Sequence, residues 1–211
     1  MRVALISTLG FEEKFCYRAI LRHGIKEGDR IILFTAELVD KVERAYDWIR
    51  RLVHSSYGDS VRVDLIQLDP NNPVKSIRKV REFLDGLDGF KLIVNLSGGM
   101  RAIVIYVLLA CMMELREDMI VEVEAEDLSG SSTLDSKMLK LVKEGVRGEL
   151  LDVLKCVADG SNDVNSIAKK LRKDKSTVRR QLSSLERIGL IRAKKRKPLT
   201  VELSELSELV L

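Results

Sequence analysis

The chain of 211 residues has few of the residues that mark disulfide-linked or metal-bound proteins. Its three cysteines, Cys16, Cys111 and Cys156, lie far apart without a CxxC pair, and it has only two histidines. This odd, scattered set suggests neither a disulfide framework nor a zinc knuckle, and we expect no structural metal site and no cofactor. Prolines number 3 and aromatic residues make up 5%. With 45% hydrophobic and 32% charged residues, the composition is that of a folded globular protein.

Long apolar runs are also missing. The stretch "MRVALISTLG" has only a short apolar segment and no small-residue cleavage site. The longest apolar run, 102–113, is too short to cross a bilayer. We therefore expect a soluble, cytoplasmic protein with no membrane partner.

Charge is divided unevenly along the chain. Residues 1–146 carry 21 basic and 23 acidic residues, a net charge of −2, whereas residues 147–211 carry 15 basic and 9 acidic residues, a net charge of +6. The basic character therefore belongs to the carboxy-terminal part, which favours a polyanionic partner there.

Strand-like and helix-like segments alternate through the first part of the chain. The strand candidates are "RVALIS", "RIILFTA", "VRVDLIQL", "KLIVNL" and "MIVEVEAE". Helix candidates separate them at about 12–23, 38–56, 74–85 and 100–116. Five strands with four intervening helices predict an α/β fold with an open, mainly parallel sheet.

The alternation stops at "EDLSGSSTLDS", where Ser, Gly and Thr crowd together and apolar residues vanish. Such a stretch is typical of a linker. We predict a first domain over 1–126, a linker over 127–146 and a second domain over 147–211.

The second domain has the pattern of a helix-turn-helix. Residues 147–158 are amphipathic, and the short helix "VNSIAKKL" follows, with Asp163 as its predicted N-cap. A turn, "RKDK", leads into "STVRRQLSSLERIGLI". That stretch resembles the recognition helix of bacterial and archaeal winged-helix regulators, and "LIRAKKRKPLTVEL" predicts the two strands of a basic wing.

Duplex DNA is the expected partner of this domain. From Lys169 to Lys197 the sequence has 13 basic residues against the acidic Asp174 and Glu186. We expect phosphate contacts from the wing and base-edge contacts from the outward face of the long helix. The DNA-binding candidates are Lys175, Ser176, Thr177, Arg179, Arg180 and Ser183 on the helix, and Lys194, Lys195, Arg196 and Lys197 on the wing.

Two glycine-containing loops of the first domain indicate a ligand site. If the strand order is 3-2-1-4-5, the loops "STLGFEE" and "NLSGGMR" lie side by side at the switch point, where open parallel sheets bind ligands. Gly10, Gly98 and Gly99 would let backbone N–H groups approach an anion, and Thr8 and Ser97 add hydroxyl donors.

Arg101 strengthens that interpretation, because a cation at a helix start opposes the helix macrodipole unless an anion compensates it. A structural role for the Gly-Gly pair, as a tight turn, stays open. Neither GxGxxG nor GxxxxGK[ST] follows the first strand, which disfavours a dinucleotide dehydrogenase or a P-loop NTPase.

"TLGF" after the first strand, "SGGMR" after the fourth and a winged helix together resemble the CRISPR-associated Rossmann-fold (CARF) regulators of archaeal type I-A CRISPR loci. The resemblance covers essentially the whole chain. It implies a homodimeric transcriptional regulator whose paired Rossmann-like domains bind a cyclic oligoadenylate, and among these cyclic tetra-adenylate. The ligand-binding candidates are Thr8, Leu9, Gly10 and Phe11, and then Asn95, Ser97, Gly98, Gly99, Met100 and Arg101.

Two other functions remain alternatives. One is a metal-independent ring nuclease that cleaves the cyclic oligoadenylate, although neither motif contains a His, Asp or Glu to act as acid or base. The other is a structural module that only dimerises and docks on a protein. We expect a regulator and not an enzyme.

Overall fold

The computed structural model describes residues 1–211 and divides into two compact units, Met1–Ser136 and Lys137–Leu211. The first unit is built on one six-stranded sheet. Its strands are β1 Arg2–Thr8, β2 Arg30–Thr35, β3 Arg62–Gln67, β4 Phe90–Asn95, β5 Met119–Glu124 and β6 Ser131–Asp135. Its helices are α1 Lys14–His23, α2 Asp40–Tyr57, α3 Pro73–Asp85 and α4 Arg101–Met113.

The strand order is β3-β2-β1-β4-β5-β6, which confirms the predicted order for the first five strands. All neighbours are parallel except β5 and β6. In β1, β2 and β4 nearly every residue is buried, as expected for central strands covered by helices on both faces. The order changes direction between β1 and β4, so the switch point lies where the sequence predicted it.

The local sequence explains where the helices begin and end. Asn72 caps α3 by accepting a hydrogen bond from the N–H of Lys75, and Pro73 occupies the first helical position, where it needs no donor. Gly24 ends α1 in the left-handed region with φ +58°. The predicted helix ends in this unit lie within three residues of the observed ones. No helix of the molecule is long and apolar enough to span a membrane.

Most of the segment 127–146, which was predicted to be a linker, forms regular secondary structure. Residues Ser131–Asp135 form β6, antiparallel to β5, and the next residues form helix α5, Ser136–Glu144. The sequence "SSTLD" lacks an apolar run because β6 is an edge strand with almost every residue exposed. Leu141 of α5 belongs to the apolar core of the second unit.

The second unit is a winged helix, as predicted. Its elements after α5 are helices α6 Glu149–Ala158, α7 Val164–Leu171 and α8 Lys175–Arg187, and strands β7 Ile191–Arg196 and β8 Leu199–Leu203. Asp163 caps α7 by accepting from the N–H groups of Asn165 and Ser166, which confirms the predicted cap. Strands β7 and β8 are antiparallel and form the wing.

Candidate functional site

The loops after β1 and β4 meet at the switch point, backbone against backbone. A Cβ on Gly10 would lie 3.0 Å from both the Cα and the N of Gly99, and a Cβ on Gly98 would lie 3.1 Å from the carbonyl oxygen of Thr8. Gly99 also has φ +87°, a conformation that L side chains rarely adopt. The glycines are therefore required by loop packing, whatever the crevice binds.

The two candidate hydroxyl groups are already engaged within the protein. Thr8 is buried, and its Oγ1 donates to the carbonyl oxygen of Gly98 at 2.5 Å. The Oγ of Ser97 accepts a hydrogen bond from the N–H of Glu124 at 2.8 Å. Both hydroxyls join neighbouring loops or strands, so their contribution is to hold the crevice in shape.

Asn95, a ligand-binding candidate, is fully buried at the end of β4. Its Oδ1 accepts from the N–H of Ser97 at 3.2 Å, and its Nδ2 donates to Oε1 of Glu122 at 2.9 Å. Contact between Asn95 and a ligand stays a prediction. Both polar atoms of the buried Asn95 side chain are paired with protein atoms, and the bond to Ser97 supports the loop after β4.

An open pocket of about 720 Å³ lies between the two loops and the end of β2. Apolar side chains such as Phe11, Phe15 and Val39 form part of its wall. The lining residues are Leu9, Gly10, Phe11, Glu12, Lys14, Phe15, Thr35, Ala36, Glu37, Val39, Val42, Ser97, Gly98, Gly99, Met100 and Glu126. Seven of the ten candidate residues are thus brought together at one pocket, and Thr8, Asn95 and Arg101 are not among its lining residues.

The residues that follow β2 and β5 form a part of the pocket that was not predicted from the sequence. Glu37 and Val39 follow β2, and Glu126 follows β5. The predicted strand order could have found the β2 loop, because it places β2 beside β1. The lining includes three carboxylates, those of Glu12, Glu37 and Glu126, and one amine, that of Lys14, which pairs with Glu12 at 2.6 Å.

Arg101 stands outside this pocket. It is the first residue of α4, its side chain is exposed, and it makes no hydrogen bond or ion pair. Ile105, Leu109 and Met113 follow it at intervals of four residues, and their exposed fractions are 52%, 42% and 51%. Because residues four apart share a helix face, Arg101 heads an exposed apolar stripe, Ile105–Leu109–Met113, along α4.

The second unit presents its basic residues to solvent as predicted. On α8 the side chains of Val178, Leu182 and Leu185 are buried. The exposed candidates on that helix are Lys175, Ser176, Arg179, Arg180 and Ser183, and Thr177 is half-buried. Asp174 caps α8 by accepting from the N–H of Ser176 at 2.7 Å, and its hydrogen bonds with Ser176 lower the pKa of its carboxyl group.

On the wing, Lys194, Lys195, Arg196 and Lys197 are all exposed. Arg196 differs from the three lysines because its guanidinium forms a two-point contact with the carboxylate of Glu186 on α8, at 3.1 and 2.9 Å. This pair joins the wing to the recognition helix of the same unit. Across the whole molecule, no group of three or more His, Cys, Asp or Glu side chains is placed to hold a metal ion.

A parallel α/β domain with facing loops at its switch point is a ligand-binding type of fold, and the winged helix-turn-helix that follows it is a DNA-binding type of fold. Residues 3–135 match the model of the Csa3 CRISPR-associated Rossmann-like domain, and residues 151–193 match that of the bacterial regulatory proteins of the arsR family. The first match covers more than half of the chain, which therefore belongs to the Csa3 CRISPR-associated Rossmann-like family. The predicted CARF domain followed by a winged-helix domain is thereby confirmed, and the archaeal type I-A origin stays a prediction.

Two solved structures resemble the chain at low sequence identity, and the first of them shares its fold. Csm6 from Enterococcus italicus, solved with cyclic hexa-2'-fluoro-hexa-dAMP, is 13% identical with a TM-score of 0.53, over 89% of this chain and 55% of its own. Can2 from Sulfobacillus thermosulfidooxidans, solved with cyclic tetra-adenylate, is 11% identical with a TM-score of 0.47, over 99% of this chain and 63% of its own. The chain thus spans less than two thirds of either protein. No curated protein matches the chain significantly.

Proposed function

We propose that this protein is a CRISPR-associated transcriptional regulator that binds promoter DNA through its winged helix and a cyclic oligoadenylate at the crevice between its glycine loops. One observation carries the proposal. The "TLGF" and "SGGMR" loops of a Csa3-family domain meet at the switch point beside an open pocket, in the same chain as a basic winged helix. The Csm6 structure, which shares the fold, was solved with a cyclic oligonucleotide.

The pocket chemistry suits the bases and riboses of such a ring. Phe11, Phe15 and Met100 offer apolar surface to a purine, and the glutamates offer acceptors to exocyclic amino groups and hydroxyls. Phosphates are disfavoured beside three carboxylates. They would lie instead at the backbone of Gly98 and Gly99 and at the start of α4. Within the cyclic oligoadenylates we favour cyclic tetra-adenylate, which the family resemblance implies.

We propose that the functional form is a homodimer paired through the exposed apolar stripe of α4. Ile105, Leu109 and Met113 would be covered by the same residues of a second copy, because a twofold interface is self-complementary. Arg101 heads the stripe and has no partner within one chain. Pairing would bring two copies of Arg101 and two crevices towards one axis, which suits a ring with several phosphates.

The ligand must favour one arrangement of the dimer if it is to control DNA binding. By reciprocity, DNA then changes the affinity for the ligand by the same factor. Along the chain, α5 begins at Ser136, directly after β6 ends at Asp135.

The proposal is tested by calorimetric titration of the protein with cyclic tetra-adenylate and with cyclic hexa-adenylate, followed by chromatography of the recovered ligand. We expect binding of one intact tetra-adenylate ring per dimer. Linear tetra-adenylate is the matched control, since it has the same bases without the closed ring. Absence of binding by either ring would overturn the ligand assignment.

One observation supports the alternative of a ring nuclease. Sequence motifs placed no acid or base at the site, but the pocket contains the carboxylates of Glu12, Glu37 and Glu126. We propose binding without turnover. Linear product that accumulates with the wild-type protein and is lost in Glu37→Gln or Glu126→Gln would instead establish the enzyme.

A further inference from the structure

Two acidic residues of β5 are buried beneath α1. Glu122 and Glu124 point to the same face of the strand and are 3% and 4% exposed. Arg22 contacts both carboxylates, and it lies 3.0 Å from Oε1 of Glu122. His23 Nε2 lies 2.8 Å from Oε2 of Glu122, and Arg18 Nε donates to Oε2 of Glu124 at 2.6 Å. We call these five residues the β5–α1 ionic cluster.

The cluster is joined to the "SGGMR" loop by two short chains of hydrogen bonds. Glu122 Oε1 accepts from Asn95 Nδ2, and Asn95 Oδ1 accepts from the N–H of Ser97. The backbone N–H of Glu124 donates to Oγ of Ser97. Both the main chain and the side chain of Ser97, the first residue of the loop, are therefore anchored to β5.

The same cluster holds the loop between β5 and β6. Arg18, whose guanidinium binds Glu124, also donates from Nη2 to the carbonyl oxygen of Leu128 at 3.4 Å. Leu128 has φ +62°, an unfavourable conformation for a leucine that tertiary contacts must maintain. This loop contributes Glu126 to the pocket, so the cluster supports two walls of one crevice.

Stability alone does not explain the cluster. Buried ion pairs rarely stabilise a fold more than apolar residues of similar volume would, because both charges must leave water. Burial by itself raises the pKa of Glu122, but hydrogen bonds from His23 and Asn95, with the charges of His23 and Arg22, lower it to about 2. The carboxylate is thus a fixed anionic acceptor to which Asn95 can donate.

We propose that the β5–α1 ionic cluster, through Asn95 and Arg18, sets the conformation of the "SGGMR" loop and of the 125–130 loop, and that its members are positioning residues for the ligand. Their effect on the ligand rests on the proposed function, whereas their effect on the loops does not. None of the five residues lines the pocket itself.

The substitution Asn95→Asp gives a test with a distinctive pH response. The new carboxylate can still accept from Ser97, but when ionised it faces Glu122 and repels it. Two carboxylates that share a site raise the pKa of one of them. Once protonated, Asp at position 95 can again donate to Glu122 as Asn95 does. The charged groups that face this point are Arg22 and His23 from α1 and Glu124 from β5, and wild-type protein measured at each pH is the reference.

Two measurements are made at pH 8 and pH 5. Hydrogen exchange of the ligand-free protein, compared with wild type at the same pH, reports the 95–101 segment. Calorimetry with cyclic tetra-adenylate reports affinity. We expect Asn95→Asp to exchange faster and to bind roughly tenfold more weakly at pH 8, since one charge-assisted hydrogen bond is lost, and both deficits to shrink at pH 5. Asn165→Asp, which adds the same charge at an exposed position of the second unit, should match wild type.

A second pair of variants tests the proposal if Asn95→Asp folds poorly. Arg18→Gln should speed exchange in the 125–130 segment. Arg81→Gln is the matched control and should leave this exchange unchanged. The side chains of Arg81 and Arg18 are 39% and 40% exposed, and both pair with a glutamate, but Arg81 pairs with Glu114, away from both loops. If each loop exchanges at the wild-type rate in both Asn95→Asp and Arg18→Gln, the proposal is overturned, whatever the calorimetry shows. If wild type fails to bind the ring while the loops respond, the positioning role stands and the proposed function fails.

Discussion

Gly10 and Gly99 lie backbone to backbone across the switch point, so that a side-chain carbon on Gly10 would meet the Cα and the N of Gly99 at 3.0 Å. The loops after β1 and β4 can approach this closely only because neither residue has a side chain. The glycines that suggested an anion site in the sequence thus serve loop packing first, and the crevice is a consequence of that packing.

The substitution Gly99→Ala adds only one methyl group, but it should disturb the crevice strongly. The new Cβ would meet the Cβ of Thr8 at 3.2 Å and the carbonyl oxygen of Leu9 at 3.3 Å, in a backbone conformation with φ +87°. We expect a loss of about 1–3 kcal/mol in the free energy of unfolding and weaker binding of cyclic tetra-adenylate. Urea unfolding and calorimetry measure both. The matched control is Gly130→Ala, whose Cβ would meet nothing within 4 Å. Equal effects of the two substitutions would contradict the packing argument.

The buried carboxylate of Glu122 should make the first unit sensitive to acid. Its pKa is lowered from 4.5 to about 2. The stabilisation is therefore fully present above about pH 4.5 and is lost as the pH falls towards 2, and it amounts to about 3 kcal/mol for a shift of this size. In Glu122→Gln we expect lower stability than wild type at pH 6 and a difference that narrows as the pH approaches 2.

Fluorescence of Trp48 can follow this unfolding, because it is the only tryptophan and packs edge-on against Tyr17 of α1 at 5.3 Å. Glu117→Gln, at an exposed position of the same unit, is the control and should parallel wild type. A difference between wild type and Glu122→Gln that stays constant from pH 6 to pH 2.5 would show that the carboxylate gains nothing from its neighbours.

Much of the framework follows from the sequence for simple reasons. Buried parallel strands produce continuous apolar runs, so β1, β2 and β4 were recognisable. The amphipathic α7 and α8, with Asp163 as the cap of α7, marked the helix-turn-helix. An edge strand such as β6 needs no apolar run, and its serines and threonine suggested a linker.

The site was harder to predict than the fold. Asn95 was among the ligand-binding candidates, but its side chain is fully buried. The pairing of Glu122 and Glu124 with α1 joins positions about 100 residues apart, and acids at alternate strand positions resemble an ordinary solvent-facing pattern. Arg101 was expected to face an anion at the helix start, but its exposed side chain lies outside the pocket.

Leu109→Glu should prevent the proposed dimer. The side chain of Leu109 is 42% exposed in the middle of the α4 stripe, and a second copy would bury two like charges against each other. We expect the variant to be monomeric by analytical ultracentrifugation and to lose ligand binding. Leu21→Glu, at a 61% exposed leucine of α1, should leave the mass unchanged. A wild-type protein that is itself monomeric at micromolar concentration would refute the interface.

The wing should show two kinds of basic residue. Lys195 is free to contact phosphate, so Lys195→Ala should weaken binding uniformly across DNA sequences and reduce the salt slope by about one. Arg196 is held by Glu186, so Arg196→Ala should cost less affinity than Lys195→Ala. Fluorescence anisotropy with duplex DNA at several salt concentrations measures both slopes, and Lys155→Ala on the exposed side of α6 is the control. The opposite ranking would mean that the Glu186–Arg196 pair opens on DNA.

The coupling between crevice and winged helix is tested most directly by the affinity for promoter DNA, measured by anisotropy without the ring and with saturating cyclic tetra-adenylate. We expect the dissociation constant to change by about 5-fold to 150-fold, the usual range for coupled sites, and the change to disappear in Gly99→Ala. A DNA affinity that is the same with and without bound ring would contradict the claim that this chain is a ligand-responsive regulator.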